Sequence, residues 1–414
     1  MKKILLTFGV ALALFATTQV SAQDCSGNRY KQAIFSEVDS VMNIEYGENF
    51  KQDGVTNEKL FMDIYFPKGD ADNNRAVILL AHGGSFIGGD KADVAAMCRA
   101  MSKMGYVTVT INYRLINPQD PAILLNLGPG FKKGVVRAIH DMKAAIRFIR
   151  NSATTNNPYG INPDLIISGG VSAGAIMANH VTYMDAMNKV PTDLVDYITD
   201  QGGLEGTSGT PGVSSVPQMS LSMCGAILDT VWLEAGAQPF YGVHTEEDQT
   251  VKYLYGEPNI GLPIPVSLYG DSLIFKRAEA VGINSRYLHY PNGIHCAFLQ
   301  DPAQLQETMT DMMDFTYHNL CETGLLNTNK IADKLYFSAY PNPTSSDLTI
   351  EIPSNQWDAT LEMMDLLGKT VFTTSIPASQ TIYNVNVSTM PAGVYQVRVR
   401  TNDGRMANQK IVIQ

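Results

Sequence analysis

Gly170-Val171-Ser172-Ala173-Gly174 fits the pattern G-x-S-x-G. It joins the apolar run Leu165-Ile166-Ile167 to an alanine-rich stretch ending at Asn179, so the segment reads as strand, sharp turn, helix. At such a turn the flanking glycines make room for a strained backbone that pushes one hydroxyl out above a sheet, and Ser172 becomes a candidate nucleophile. A glycine-rich strand-to-helix turn of any α/β domain has the same look, so context must decide. A second feature lies upstream, where the continuous apolar run Ala76 to Ala81 ends in His82-Gly83-Gly84-Ser85. Adjacent glycines after a buried strand let backbone N–H groups face a cleft. Together the two imply attack of a serine on a carbonyl, with Gly83, Gly84 and Ala173 as candidate oxyanion donors.

The elements that must hold these residues follow from periodicity. Short strands are expected at Ser40 to Asn49 and Leu60 to Phe66, and buried ones at Ala76 to Ala81, Tyr106 to Tyr113 and Leu165 to Gly170. A helix is expected from Lys91 to Met104. Val135, Ile139, Met142, Ile146 and Ile149 recur at helical spacing, which places one face of a second helix on the sheet. On that helix His140, Asp141 and Arg147 read as structural. Later strands are expected at Met219 to Leu228, Pro239 to Val243 and Ser285 to Tyr290. Alternating strands and helices give a doubly wound, mostly parallel α/β sheet. One of two long loops, Gln201 to Pro217 or Leu115 to Gly134, is expected to border the pocket; the former holds five glycines and two prolines.

Composition narrows the compartment and the partners. The chain has 414 residues, room for more than one domain. Lys2-Lys3, the apolar run Ile4 to Ala16 and Val20-Ser21-Ala22 read as a secretory signal covering residues 1–22. Without it 28 basic and 40 acidic side chains remain, a net charge of −12 that argues against nucleic acid as a partner. No later segment is apolar enough to span a membrane. Five cysteines (Cys25, Cys98, Cys224, Cys296, Cys321) allow two bridges and one thiol, in fifteen combinations that sequence leaves open. No spacing suggests a metal, and no cofactor is expected.

His82-Gly83-Gly84, Asn112-Tyr113-Arg114 after the next strand, and the Ser172 turn together resemble the carboxylesterase and lipase branch of the α/β-hydrolase superfamily, over roughly residues 40–320. The resemblance implies that the acid and the histidine follow the serine in the chain. Of the later histidines, His180 lies deep in the nucleophile helix, His244 enters a turn, His289 points from a strand and His318 belongs to the last helix. His295, in the glycine-bearing loop Pro291 to His295, fits best. The turn His244 to Val251 resembles the family's acid turn, whose aspartate stands three residues before a valine; Asp248 has that place, with Glu246 and Glu247 as neighbours in contention. The implied triad is Ser172, His295 and Asp248, acting on uncharged esters through an acyl-enzyme. A prolyl-oligopeptidase-like peptidase and a non-catalytic surface binding protein remain as alternatives.

Beyond Leu320 the character changes. The polar stretch Thr323 to Lys334 has few groups with which to dock the remainder of the chain, and alternation at strand spacing then begins, as Leu348-Ile350, Leu361-Met363, Val385-Val387 and Val397-Val399, with turns at Pro353-Ser354-Asn355, Gly368 and Asn402-Asp403-Gly404. This predicts a small all-β sandwich. Ala339-Tyr340-Pro341-Asn342-Pro343, Asp365 to Lys369, Pro391-Ala392-Gly393-Val394-Tyr395 and Lys410 to Ile413 resemble the C-terminal sorting domain of Bacteroidetes type IX secretion. The resemblance implies export through the periplasm and outer membrane, with the secretion machinery as a partner. The expected division is residues 23–322 for the hydrolase, 323–335 for a linker and 336–414 for the sandwich.

Overall fold

The computed structural model describes residues 25–322, 335, 337–352, 358–365, 369–402 and 406–414. The expected signal at 1–22, the polar link at 323–334, and the turns at Pro353-Ser354-Asn355, Gly368 and Asp403-Gly404 lie outside the described residues.

The strands of the main sheet are β1 (Val38–Phe50), β2 (Asn57–Pro67), β3 (Arg75–Ala81), β4 (Val107–Ile111), β5 (Ile161–Val171), β6 (Ser220–Met223), β7 (Phe240–Thr245) and β8 (Ser285–Tyr290). Their order is β1-β2-β4-β3-β5-β6-β7-β8. The first two meet their neighbours antiparallel, and the strands from β4 to β8 run parallel. This is the α/β-hydrolase architecture. Every residue of β3, β4 and β6 is buried, as strands covered on both faces must be.

Five helices cover the sheet: α1 (Ala95–Ser102), α2 (Leu127–Ser152), α3 (Ala173–Tyr183), α4 (Asp271–Ala280) and α5 (Pro302–Tyr317). Ile139, Met142 and Ile146 of α2 join Met177 of α3 and Ile274 of α4 in one apolar cluster. On the other face Cys98 and Met101 of α1 join Met309, Met312 and Phe315 of α5. Truncating a fully buried isoleucine among them, Ile146→Ala for example, costs about 2–5 kcal/mol.

Several expected boundaries move, two of them for a reason visible in the backbone. Helix α2 starts at Leu127, inside the stretch read as loop, because Pro129 falls in its first turn, where its missing N–H has no helical partner to lose. The strand expected from Met219 to Leu228 breaks after Met223, because Cys224 takes a left-handed conformation with φ 51° before a short second piece, Ala226–Ile227.

The tail folds as two antiparallel sheets. One contains β9 (Ser338–Tyr340), β10 (Asp347–Glu351) and β13 (Ile382–Asn386); the other contains β11 (Ala359–Met364), β12 (Thr370–Ile376), β14 (Gly393–Thr401) and β15 (Met406–Ile413). The alternating apolar residues Leu348, Ile350, Leu361, Val385, Val397 and Val399 close its core, as period-two patterning requires. Contrary to the expectation of weak docking, the sandwich sits on the hydrolase. Tyr340 joins the larger core, the Ser338 hydroxyl accepts from Met187 N–H at 3.2 Å, and Glu351 accepts from the N–H groups of Leu204 and Glu205 at 3.3 and 3.4 Å.

Candidate active site

Ser172 stands between β5 and α3 with φ 55° and ψ −115°, a conformation that L-residues avoid and that nearby contacts enforce. A Cβ on Gly170 would come within 2.4 Å of the Gly174 backbone, and one on Gly174 within 2.1 Å of the Ala81 carbonyl. Strand, helix and the end of β3 therefore touch backbone to backbone, and only glycine fits at either place.

The loop after β3 is braced by the Asn112-Tyr113-Arg114 segment. Tyr113 stacks on His82, 4.4 Å between ring centres, and donates its hydroxyl hydrogen to the His82 carbonyl at 3.0 Å. His82 Nδ1 donates to the Gly83 carbonyl at 2.6 Å, and burial lowers the pKa of the ring, keeping it neutral. Asn112 accepts from Lys91 N–H and donates to Asp90. Arg114 is buried against Asp141 on α2, with the shortest contact 2.7 Å. Gly83 lies against the nucleophile: a Cβ there would sit 3.3 Å from Ser172 Cβ. Gly84 has φ 109° and no space for a side chain beside the Gly88 carbonyl, and Ala173 is buried at the start of α3.

Among the later histidines the structure brings His295 to the serine. Its Nε2 lies 2.8 Å from Ser172 Oγ and its Nδ1 2.5 Å from Asp248 Oδ2. Asp248 is 1% exposed, and its other oxygen accepts from the N–H groups of Thr250 and Val251 at 2.8 and 3.0 Å. Burial raises its pKa, but hydrogen bonds from His244 and His295 outweigh that and hold the carboxyl well below the usual range. Its neighbours go elsewhere: Glu246 pairs with His289 at 3.3 Å, and Glu247 accepts from Gly293 N–H in the histidine loop at 3.2 Å. His318 pairs with Glu322 at the surface.

A disulfide joins Cys224 to Cys296, the residue after His295, and a second joins Cys25 to Cys321; Cys98 is a buried free thiol whose pKa burial pushes up to about 12. The first bridge ties the histidine loop to β6, the strand whose Met223 carbonyl accepts from Ser172 N–H at 2.8 Å. Nothing in the sequence singled out this pairing. Cys224, His295 and Cys296 place their donor atoms within 4.8 Å of one another, but the two sulfurs are bonded to each other.

A cleft of about 780 Å³, open mouth included, leads from Ser172 between Phe86, Phe131, Ile176, Val251 and Ile264. Lys132 at its wall pairs with Asp193, and His180, which the sequence set aside, lines it as a neutral ring lowered by burial to about 4. Of the two candidate loops, the stretch from Leu115 to Gly134 borders the cleft through Phe131 and Lys132, and no residue from 201 to 217 lines it. That second loop is pinned elsewhere: Arg147 donates to the carbonyls of Glu205, Ser208 and Thr210, and Lys143 and Arg147 both pair with Glu205.

Residues 62–207 match the BD-FAE family, and residues 338–414 match the secretion system C-terminal sorting domain. The chain joins an esterase-like α/β-hydrolase to a type IX sorting domain. Its sorting domain directs it out of the cell or onto the cell surface, and among the described residues no helix is long and apolar enough to cross a membrane. No curated protein matches the chain. Solved structures similar to this hydrolase include esterase 2 of the planctomycete Thermogutta terrifontis with propionate bound, at 20% identity over 67% of this chain and 94% of that one, TM-score 0.49. The apo form of the same esterase aligns at 19% identity over 70% and 96%, TM-score 0.48.

Proposed function

We propose that this hydrolase cleaves carboxylic esters through Ser172, His295 and Asp248 by way of an acyl-enzyme. The observation that carries the reading is the continuous chain of contacts from Ser172 Oγ to His295 Nε2 at 2.8 Å and from His295 Nδ1 to Asp248 at 2.5 Å. A serine hydroxyl is a weak nucleophile at neutral pH, so His295 takes its proton as the oxygen attacks the ester carbonyl. Asp248 fixes the ring with Nδ1–H toward itself, leaving Nε2 free as the base, and stabilises the imidazolium that forms. Backbone N–H groups of Gly83 or Gly84 and of Ala173 receive the oxyanion, each worth a few kcal/mol in the transition state. His295 then gives its proton to the departing alcohol, and the same steps with water release the acid. The apolar walls of the cleft favour an uncharged, largely apolar ester.

In the same reading residues 23–322 form the catalytic unit, 323–335 the linker and 336–414 an address read by the secretion machinery, with no part in the chemistry. Ser172→Ala is expected to lower turnover of a p-nitrophenyl ester by about 10⁴-fold or more with the fold intact. A fluorophosphonate should label the native chain on Ser172 and leave the variant unlabelled. Turnover retained in Ser172→Ala would end the reading; faster cleavage of a dipeptide anilide than of esters would move it to a peptidase.

A further inference from the structure

Asp248 Oδ2 meets two imidazoles. His295 Nδ1 approaches at 2.5 Å and His244 Nε2 at 3.2 Å, and the proposed catalytic steps use only the first. His244 lies on β7, fully buried, four residues before Asp248.

The hydrogen-bond partners fix its protonation. Nε2 also faces the Val251 carbonyl at 3.0 Å, and a carbonyl only accepts, so Nε2 carries a hydrogen. Nδ1 faces Asp271 Oδ2 at 3.3 Å. That oxygen accepts from Gly225 N–H at 2.8 Å, and Asp271 Oδ1 accepts from the Ser222 hydroxyl at 2.6 Å. Ser222 is itself approached by the amide of Asn179 at 3.0 Å, so its own hydrogen must go to Asp271. Both oxygens of Asp271 accept, which favours its ionised form with Nδ1–H donating to it. A ring with hydrogens on both nitrogens is an imidazolium.

The surroundings agree. Asp248 from the turn and Asp271 from α4 are the charged groups that face the ring. Tyr253 meets it edge-on at 5.9 Å, with Tyr287 of β8 behind at 6.2 Å from Tyr253, while His289 and Glu246 pair with each other nearer the surface. Burial opposes charge on the ring, but the bonds to Asp248 and Asp271 overcome it and raise its pKa to about 9.

Building on the proposed triad, we propose that His244 is a positioning residue of the reaction: a second imidazole, charged at neutral pH, that holds Asp248 in place and shares the oxygen on which His295 leans. Its first effect is geometric. With Oδ1 fixed by two backbone N–H groups and Oδ2 by two ring N–H groups, the carboxylate cannot rotate away from His295. The second is electrostatic. A cation on the far side of Oδ2 draws off part of the carboxylate's negative charge that would otherwise favour the His295 imidazolium.

The test uses the full chain. In ¹⁵N-histidine spectra of the native protein, His244 should show hydrogens on both nitrogens from pH 6 to 8; a neutral ring at pH 7 would overturn the proposal whether or not any variant folds. His244→Gln should lower kcat about 10- to 100-fold with KM within about twofold, and should move the acidic limb of kcat/KM up by about one pH unit. Removing a positive and a negative charge together, in His244→Gln with Asp271→Asn, should return the limb toward its native position, which a purely packing role would not do. A folded His244→Gln enzyme with native kcat and an unmoved limb sinks this inference alone, provided Ser172→Ala is inactive. An active Ser172→Ala enzyme sinks the triad itself.

Discussion

Two buried carboxylates behave in opposite ways. Asp248, at the edge of the sheet, has four N–H donors and stays ionised well below its ordinary range. Glu351, at the seam between hydrolase and sandwich, is buried too at 2% exposure, yet among the described residues of the hydrolase its donors are two long backbone N–H contacts. Burial first, and then the nearby Glu205 charge, push it up to about 7. Glu205 itself is held down to about 2, against burial, by Lys143, Arg147 and Ser215. The difference lies in partners, not depth: Asp248 faces ring and backbone N–H groups at both oxygens, whereas the seam's cations are taken by Glu205 and Glu351 is left beside that charge. The first arrangement suits chemistry that must hold its geometry. The second suits a joint.

The sharpest way to break this contrast is to unfasten the site. Replacing both Cys224 and Cys296 by serine frees the loop that carries His295, and we expect kcat to fall by about 10-fold or more, with stability lower by about 2–4 kcal/mol in denaturant titration. Native turnover in that variant would mean that packing alone fixes the histidine. The seam is next. An exposed glutamate binds its proton less tightly than docked Glu351, so docking is strongest below about pH 4.5 and loses up to about 3 kcal/mol as pH rises to 7 and beyond. Glu351→Gln removes that loss. Limited proteolysis between the domains at pH 8 should be faster for the native chain than for the variant, and equal rates would refute the assignment. The smallest effect is expected from removing the tail. A chain ending at Glu322 should keep kcat/KM for a p-nitrophenyl ester within about twofold, and a folded but inactive truncation would show that the sandwich shapes the site.

Much of the site was legible because its signals are local. Gly170 and Gly174 are demanded by contacts within one turn, and the spacing from Asp248 to Val251 reflects an aspartate capping its own turn through the N–H groups of Thr250 and Val251. The tail's alternation maps directly onto its core. What escaped depends on distant partners. The fifteen cysteine pairings could be narrowed only by knowing that β6 and the histidine loop meet. His244 was passed over as a base, although an imidazole four residues before the acid was visible; its meaning depends on Asp271, 27 residues away in the chain. Gln201 to Pro217 looked like a pocket border because of its length, yet Lys143 and Arg147, one helical turn apart on α2, were the sign that something polar and acidic docks there. The same distance effect hid the seam, since neither Glu351 nor Glu205 announces the other.

The Cys25–Cys321 bridge links residues 296 apart, one just past the expected signal and the other at the end of the hydrolase. Every residue proposed for the chemistry lies within this covalent ring, and the sandwich hangs outside it. The ring can close only where both cysteines share an oxidising compartment. A cut anywhere between residues 322 and 338 then removes the address while the ring stays shut. The sorting domain and the residues proposed for catalysis are thus separated in the chain's own covalent topology.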